Sequence, residues 1–324
     1  MKKKVLITGA TGFIGSHVTE LFVKKGFKVT AFDRYNPNYN LGCLQNSKFK
    51  NKINFQFGDI RDFDFVSKIV KKQNIVIHLA ALIGIPYSYV SPLAYLKTNI
   101  EGTYNILEAS KQFNIEQTII TSTSETYGSA KYVPMDEKHP TFAQSPYAAS
   151  KIAADQLALS YWNSFNLPVK ILRPFNTFGP RQSTRAIIPT IILQAINNKK
   201  INLGNLSPTR DFLYVEDTAM GFLELIKCKN LFGNIVNIGS GKEISIKKIA
   251  VLIKKILGSK SEIIIEKRRV RIKSSEVKRL KCDNKMIKKN TNWKVSTPFI
   301  DGLSKTIRWF EKNNNKDLSK IYNI

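Results

Sequence analysis

Val5-Leu6-Ile7-Thr8-Gly9-Ala10-Thr11-Gly12-Phe13-Ile14-Gly15 sets a short, mainly apolar run directly before three glycines spaced three apart. A run of this length bounded by glycine reads as a buried strand, and the glycines open a helix reaching about Lys25. Val29-Thr30-Ala31-Phe32 then resumes the sheet, completing a βαβ unit. Glycines here permit a tight turn and let a pyrophosphate approach backbone N–H groups at a helix N-terminus, where the helix dipole favours anions. The glycine string alone is common. Its position after a strand and before a helix, with Asp33 closing the second strand, makes it a dinucleotide signature, because a carboxylate there binds a ribose diol and repels a 2′-phosphate. Arg34 beside it offers the opposite chemistry, and the pair points to NAD over NADP. Gly9, Thr11, Gly12, Phe13, Ile14, Gly15, Asp33 and Arg34 are the first candidate cofactor residues.

Downstream, Ile53-Asn54-Phe55-Gln56-Phe57 reads as a third strand whose end brings Asp59 and Ile60 toward an adenine. Asp59 alone also suits a helix cap. Ile75-Val76-Ile77-His78 is a fourth strand; Leu79 and the small residues Ala80 and Ala81 after it let a cofactor lie across the strand ends. His78 reads as a packed strand-end residue rather than a catalyst. A helix expected from about Ser91 to Phe113 carries Asn99, assigned to the cofactor wall, and has an outer face able to meet the Tyr147 helix across a dimer axis. Its apolar positions are more simply core.

The chemistry concentrates in two stretches. Thr118-Ile119-Ile120 runs into Thr121-Ser122-Thr123-Ser124-Glu125, placing Thr123, Ser124 and Glu125 at the carboxyl end of a buried strand, the edge where open parallel sheets bind ligands. Tyr147 and Lys151 stand four apart in an Ala- and Ser-rich segment, hence on one face of a helix. An ammonium there favours the phenolate and is expected to lower the Tyr147 pKa toward that of a general base. Val169-Lys170-Ile171-Leu172-Arg173 is a sixth strand, left by the loop Pro174-Phe175-Asn176-Thr177-Phe178-Gly179-Pro180-Arg181, the expected door to a substrate. Arg210 suits a diphosphate clamp. Ile235-Val236-Asn237-Ile238 adds a late strand, and Arg268, Arg269, Arg271 and Arg279 form a cluster read equally as a solvated face or a phosphate site.

With 43% hydrophobic and 23% charged residues over 324 positions the composition is that of a soluble globular chain, and no apolar run approaches the roughly twenty residues of a membrane span. The basic start is too short for a signal peptide, so the expectation is a cytoplasmic protein. Cys43, Cys228 and Cys282 lack paired spacing; neither disulfides nor a metal site is expected. A net charge of +27 attracts polyanions, yet the lysines are spread along the chain, which favours solvated faces over a specific nucleic-acid groove. The same charge helps draw in an anionic nucleotide-linked substrate.

Gly9-x-x-Gly12-x-x-Gly15, Asp33, Thr123 and Tyr147-x-x-x-Lys151, in this order, resemble the extended short-chain dehydrogenase/reductase family along nearly the whole chain. The resemblance implies an α/β fold: a Rossmann-type doubly wound parallel sheet of about seven strands over 1–175 and 212–240, interleaved with a smaller substrate domain over 176–211 and 241–324. It also implies Tyr147 as base, Lys151 on the nicotinamide ribose and Thr123 on the sugar O4, with tightly held NAD and a homodimer. Thr123-Ser124-Glu125 resembles the triad of GDP-mannose-type 4,6-dehydratases, in which a carboxylate removes the C5 proton once C4 is a ketone. The same order occurs in UDP-glucuronate decarboxylases. The stretches Val133-Pro134-Met135-Asp136-Glu137 and Gly179-Pro180-Arg181-Gln182-Ser183 resemble dehydratases of N-acetylglucosamine-derived bacterial sugars, including the legionaminic acid pathway. By that resemblance Asn176, Arg181, Arg210 and Arg271 are substrate-diphosphate residues and the substrate is a GDP- or UDP-N-acetylglucosamine. The alternatives are a 4-epimerase or decarboxylase of the same family, or a non-enzyme using the scaffold as a cofactor sensor or nucleic-acid platform.

Overall fold

The computed structural model describes residues 2–270, 272, 274–314 and 316. Arg271, one of the four expected diphosphate residues, lies outside them. Seven parallel strands form the main sheet: β1 (Lys4–Thr8), β2 (Lys28–Arg34), β3 (Ile53–Gly58), β4 (Ile75–His78), β5 (Gln117–Thr121), β6 (Val169–Pro174) and, after a long excursion, β10 (Ile235–Ile238). Their order is β10-β6-β5-β4-β1-β2-β3. Apolar runs such as Val5-Leu6-Ile7 and Ile75-Val76-Ile77 are buried throughout because helices cover both faces. The chain winds outward from β1 in one direction and from β4 in the other, so the strand ends between them, after Thr8 and His78, form the switch point where a crevice opens.

The helix expected over about 91–113 is divided. Helical turns span Ile85–Val90 and Pro92–Tyr95, a π-helical stretch covers Leu96–Glu101, and an α-helix follows over Gly102–Gln112. Pro92 supplies no N–H for a bond back into the preceding turn, which ends that helix. Gly102 lies so close to the end of β3 that a Cβ there would stand 2.9 Å from Ile60. The segment of Tyr147 and Lys151, by contrast, is a continuous 20-residue helix, Pro146–Phe165, started by Ser145, whose side chain accepts from Ala148 N, and ended by Asn166 in the left-handed region.

A second lobe packs around its own core, with Ile191, Leu203, Phe212, Ile249 and Leu303 buried in it. It holds a three-stranded sheet of β7 (Asn176–Phe178), β9 (Thr209–Tyr214) and β11 (Glu243–Ser245), and a parallel pair of β8 (Lys200–Leu203) with β12 (Glu262–Ile265). The chain returns to the main sheet through the Val215–Lys227 helix, which packs against the Phe13–Lys24 helix.

Candidate active site

A cleft of about 830 Å³ opens at the carboxyl ends of the strands. Gly9, Thr11, Gly12, Phe13, Ile14, Gly15, Asp33, Arg34, Asp59, Ile60, Leu79, Ala80, Ala81 and Pro174 line it, as do Thr123, Glu125, Tyr147, Lys151 and Asn176.

The glycine loop fits a pyrophosphate on geometric grounds. A Cβ on Gly15 would stand 2.0 Å from the Gly9 carbonyl oxygen, and one on Gly9, whose φ is +66°, would stand 2.8 Å from Ala80 N, so only bare backbone fits between strand and helix. The Phe13–Lys24 helix has no side-chain cap at Gly12. Its first-turn N–H groups thus face the cleft mouth as anion donors. Asp33 Oδ2 accepts from Thr11 N at 2.9 Å and Thr11 Oγ1 at 2.6 Å, which fixes the carboxylate at the edge of the loop with lone pairs left for a ribose diol. Asp59 is turned to Arg61, which forks onto it through Nε at 2.9 Å and Nη2 at 2.5 Å and holds its carboxyl below the usual range.

Asn99 does not reach the cofactor wall. It is buried, its Oδ1 accepts from Leu82 N at 2.8 Å, and its Nδ2 donates to Leu82 O at 3.0 Å and Ser150 Oγ at 2.9 Å. It ties the loop after β4 to the helix of Tyr147. The π-helical stretch turns it inward, a feature that residue spacing does not reveal. His78 is likewise a buried packing residue, between Thr8 Oγ1 at 2.8 Å and Thr103 Oγ1 at 3.2 Å, with burial driving its pKa down to about 3.

At the centre, β5 ends in a single 3-10 turn, Ser124–Tyr127, capped by the Thr123 side chain accepting from Glu125 N at 3.3 Å. That turn sends Thr123 and Glu125 to the cleft and Ser124 into the interior at 2% exposure, so Ser124 does not stand on the wall where the sequence placed it. Glu125 Oε2 is buried with no hydrogen-bond partner among the described residues. Tyr147 packs edge-on against Tyr95 with ring centroids 6.0 Å apart. Its pKa is raised, chiefly by burial and further by the Glu125 charge, against a lowering contact from Thr123. Burial lowers that of Lys151, opposed by Asp155. In the polypeptide alone burial outweighs the lowering contact, so the Tyr147 pKa stands above its ordinary value rather than below it.

Of the three expected diphosphate residues that are described, Asn176 lines the cleft and the two arginines do not; Asn176 Oδ1 is buried and unpartnered among the described residues. Arg181 has φ +71° and pairs through Nη1 with Glu20 Oε2 at 2.9 Å, on the Phe13–Lys24 helix. Arg210 is buried, donating to its neighbour Thr209 O at 2.9 Å and lying 3.5 Å from Glu276. Neither lines the wall. Arg268, Arg269 and Arg279 form ion pairs with Glu266 or Glu243, so in them the cluster is a salt-bridged face. Sequence reasoning missed Ile83, Ile85, Tyr87, Thr98, Thr177 and Gln182 on the wall. Thr177 within the door loop and Gln182 directly after it were the available signals.

Comparison with known proteins agrees with this geometry. The profile of the family "GDP-mannose 4,6 dehydratase" matches residues 6–306. A protein of Methanocaldococcus jannaschii described as a putative UDP-glucose 4-epimerase is 33% identical over 96% of this chain and 99% of its own. Human dTDP-D-glucose 4,6-dehydratase is 32% identical over 96% and 91%. Among solved structures, UDP-glucuronic acid 4-epimerase from Bacillus cereus, in complex with UDP-glucuronic acid and NAD, superposes with a TM-score of 0.88 at 29% identity, covering 96% of this chain and 99% of that one.

Proposed function

The chain belongs to the GDP-mannose 4,6 dehydratase family of NAD-dependent nucleotide-sugar dehydratases and epimerases, and from that premise we propose a 4,6-dehydratase that holds NAD and acts on a GDP- or UDP-N-acetylglucosamine. The observation that carries the reading is Glu125: a carboxylate on the cleft wall with one oxygen buried and unpartnered among the described residues, close enough for its charge to act on Tyr147. Oxidation at C4 has no need of such a group, whereas elimination across C5–C6 requires a base.

In this reading residues 1–175 with 212–240 hold the cofactor and 176–211 with 241–324 the sugar. NAD, when bound, supplies the two-electron oxidation at C4 and the later reduction at C6. Gly9, Gly12 and Gly15 seat its pyrophosphate, Asp33 its ribose and Lys151 the nicotinamide ribose. Tyr147 Oη takes the O4 proton while Thr123 orients that hydroxyl. The resulting ketone makes the C5 proton acidic, and Glu125 Oε2 removes it as the C6 hydroxyl departs. With Ser124 turned inward, the leaving hydroxyl draws its proton from Glu125 and departs as water; when C6 is reduced, C5 takes up a proton in turn, balanced by the one Tyr147 Oη took from O4, and the product is a 4-keto-6-deoxy sugar. We place the reaction in the cytoplasm, on a route to a polysaccharide sugar. A homodimer is part of the proposal: Leu93, Leu96 and Tyr104 are exposed along one segment and Phe165 on the adjacent Pro146–Phe165 helix. Sedimentation should then give twice the chain mass.

A 4-epimerase is the second reading, favoured by the M. jannaschii relative's near-complete coverage and by the inward Ser124. Purified protein incubated with UDP-, GDP- and dTDP-sugars should lose one water by mass spectrometry. Glu125→Gln should slow that loss about 10²–10³-fold while C4 oxidation continues. Unchanged turnover with the C6 hydroxyl retained identifies the epimerase, and carbon dioxide loss a decarboxylase.

A further inference from the structure

Behind the cleft wall a buried charge cluster joins β5, β6 and the Pro146–Phe165 helix. Arg173 Nη2, on β6, donates to Asp155 Oδ2 at 2.6 Å, with both side chains 1% exposed. Ser122 Oγ, just past β5, donates to the same oxygen at 2.6 Å and accepts from Arg173 Nε at 3.3 Å. The guanidinium lies 4.4 Å from the centroid of the Tyr127 ring, which covers it. A staple between three elements needs only Oδ2. Asp155 Oδ1, however, is buried without a partner among the described residues. Asp155 also follows Lys151 by one helical turn, as Lys151 follows Tyr147, so all three share a helix face.

We propose that Asp155 is a positioning residue for the acid–base pair: Oδ2 anchors Ser122 and with it the strand end bearing Thr123, while the carboxylate's charge supports the Lys151 ammonium. The inference rests on the reading of Tyr147 and Lys151 given above. No other anion among the groups that act on Lys151 takes this part. From β4, His78 is neutral over the working range; from the 3-10 turn, Glu125 acts on Tyr147; from β6, Arg173 is cationic and bound to Asp155; from the helical turn before the π-helical stretch, Tyr95 faces Tyr147. Glu108 and Lys111 pair with each other beside Tyr161, further along the helix. The Asp155 charge raises the pKa of both Lys151 and Tyr147, so removing it shifts both titrations to lower pH.

The test measures the pH dependence of sugar C4 oxidation by the holoenzyme for wild type, Asp155→Asn, Ser122→Ala and the double variant Asp155→Asn/Arg173→Gln, which avoids stranding a buried cation. Tyrosinate absorbance, taken as the difference from Tyr147→Phe, follows Tyr147 without substrate. Both limbs of the profile and the tyrosinate titration should move to lower pH in the single and double Asp155 variants. Ser122→Ala should leave the limbs in place and lower kcat about tenfold at constant KM. A folded single or double variant with limbs and titration unmoved overturns the proposal. If wild type turns over no sugar, the functional reading fails, and the tyrosinate titration alone decides this one.

Discussion

Along the cofactor side of the cleft, from Gly9 to Lys151, bare backbone and side chains face the opening directly, whereas the arginines read as phosphate candidates are, among the described residues, each engaged by a carboxylate. Arg181 meets Glu20, Arg210 meets Glu276, Arg269 meets Glu266 and Arg279 meets Glu243. One side is organised by spacing along the chain, since three glycines at a strand end and a tyrosine four residues before a lysine dictate their own geometry. The other depends on which carboxylate folds back onto which guanidinium, across separations such as the 161 residues between Glu20 and Arg181. Local rules place the helix of Tyr147 and Lys151 and leave the loops opposite it undetermined.

The sharpest way to break that contrast is Tyr147→Phe, which should lower kcat by about 10³-fold in a steady-state assay while NAD affinity stays unchanged. Full activity would show that the cofactor side is a binding surface only. Gly15→Ala comes next. A methyl group 2.0 Å from the Gly9 carbonyl should destabilise the protein by about 3 kcal/mol in urea unfolding and weaken NAD at least tenfold by calorimetry. Arg210→Met removes one member of a buried, loosely spaced pair and should cost about 1–2 kcal/mol, read from the denaturation midpoint. A tenfold rise in KM at constant kcat would instead show that Arg210 turns to the cleft when sugar binds. The smallest effect belongs to Arg181→Ala, whose pair with Glu20 is about one-fifth exposed on each side and should contribute under ~1 kcal/mol.

The main sheet was legible because its strands are short apolar runs separated by glycine or helix signals, and even Ile235–Ile238, 61 positions after Pro174, reads as a strand and pairs with β6. Spacing also brought Tyr147, Lys151, Thr123 and Glu125 to one wall. Ser124 was expected on the wall because strand alternation does not foresee a 3-10 turn, which sends the second residue of the triad inward. Asn99 was misread because a π-helical stretch rotates side chains off the 3.6-residue period. The Ser122–Asp155–Arg173 cluster escaped notice altogether, since its members come from three segments and only their burial marks them.

Between β6, ending at Pro174, and β7, beginning at Asn176, a single residue carries the chain from one lobe to the other. That residue, Phe175, is 3% exposed, its N–H is bonded to Ile238 O at 2.8 Å, and its ring packs beside Tyr127. Such a joint has no slack. A swing of the lobes about it would tear a buried aromatic from its socket, so at this crossing the packing opposes hinge rotation and leaves displacement of the flanking loops as the easier movement.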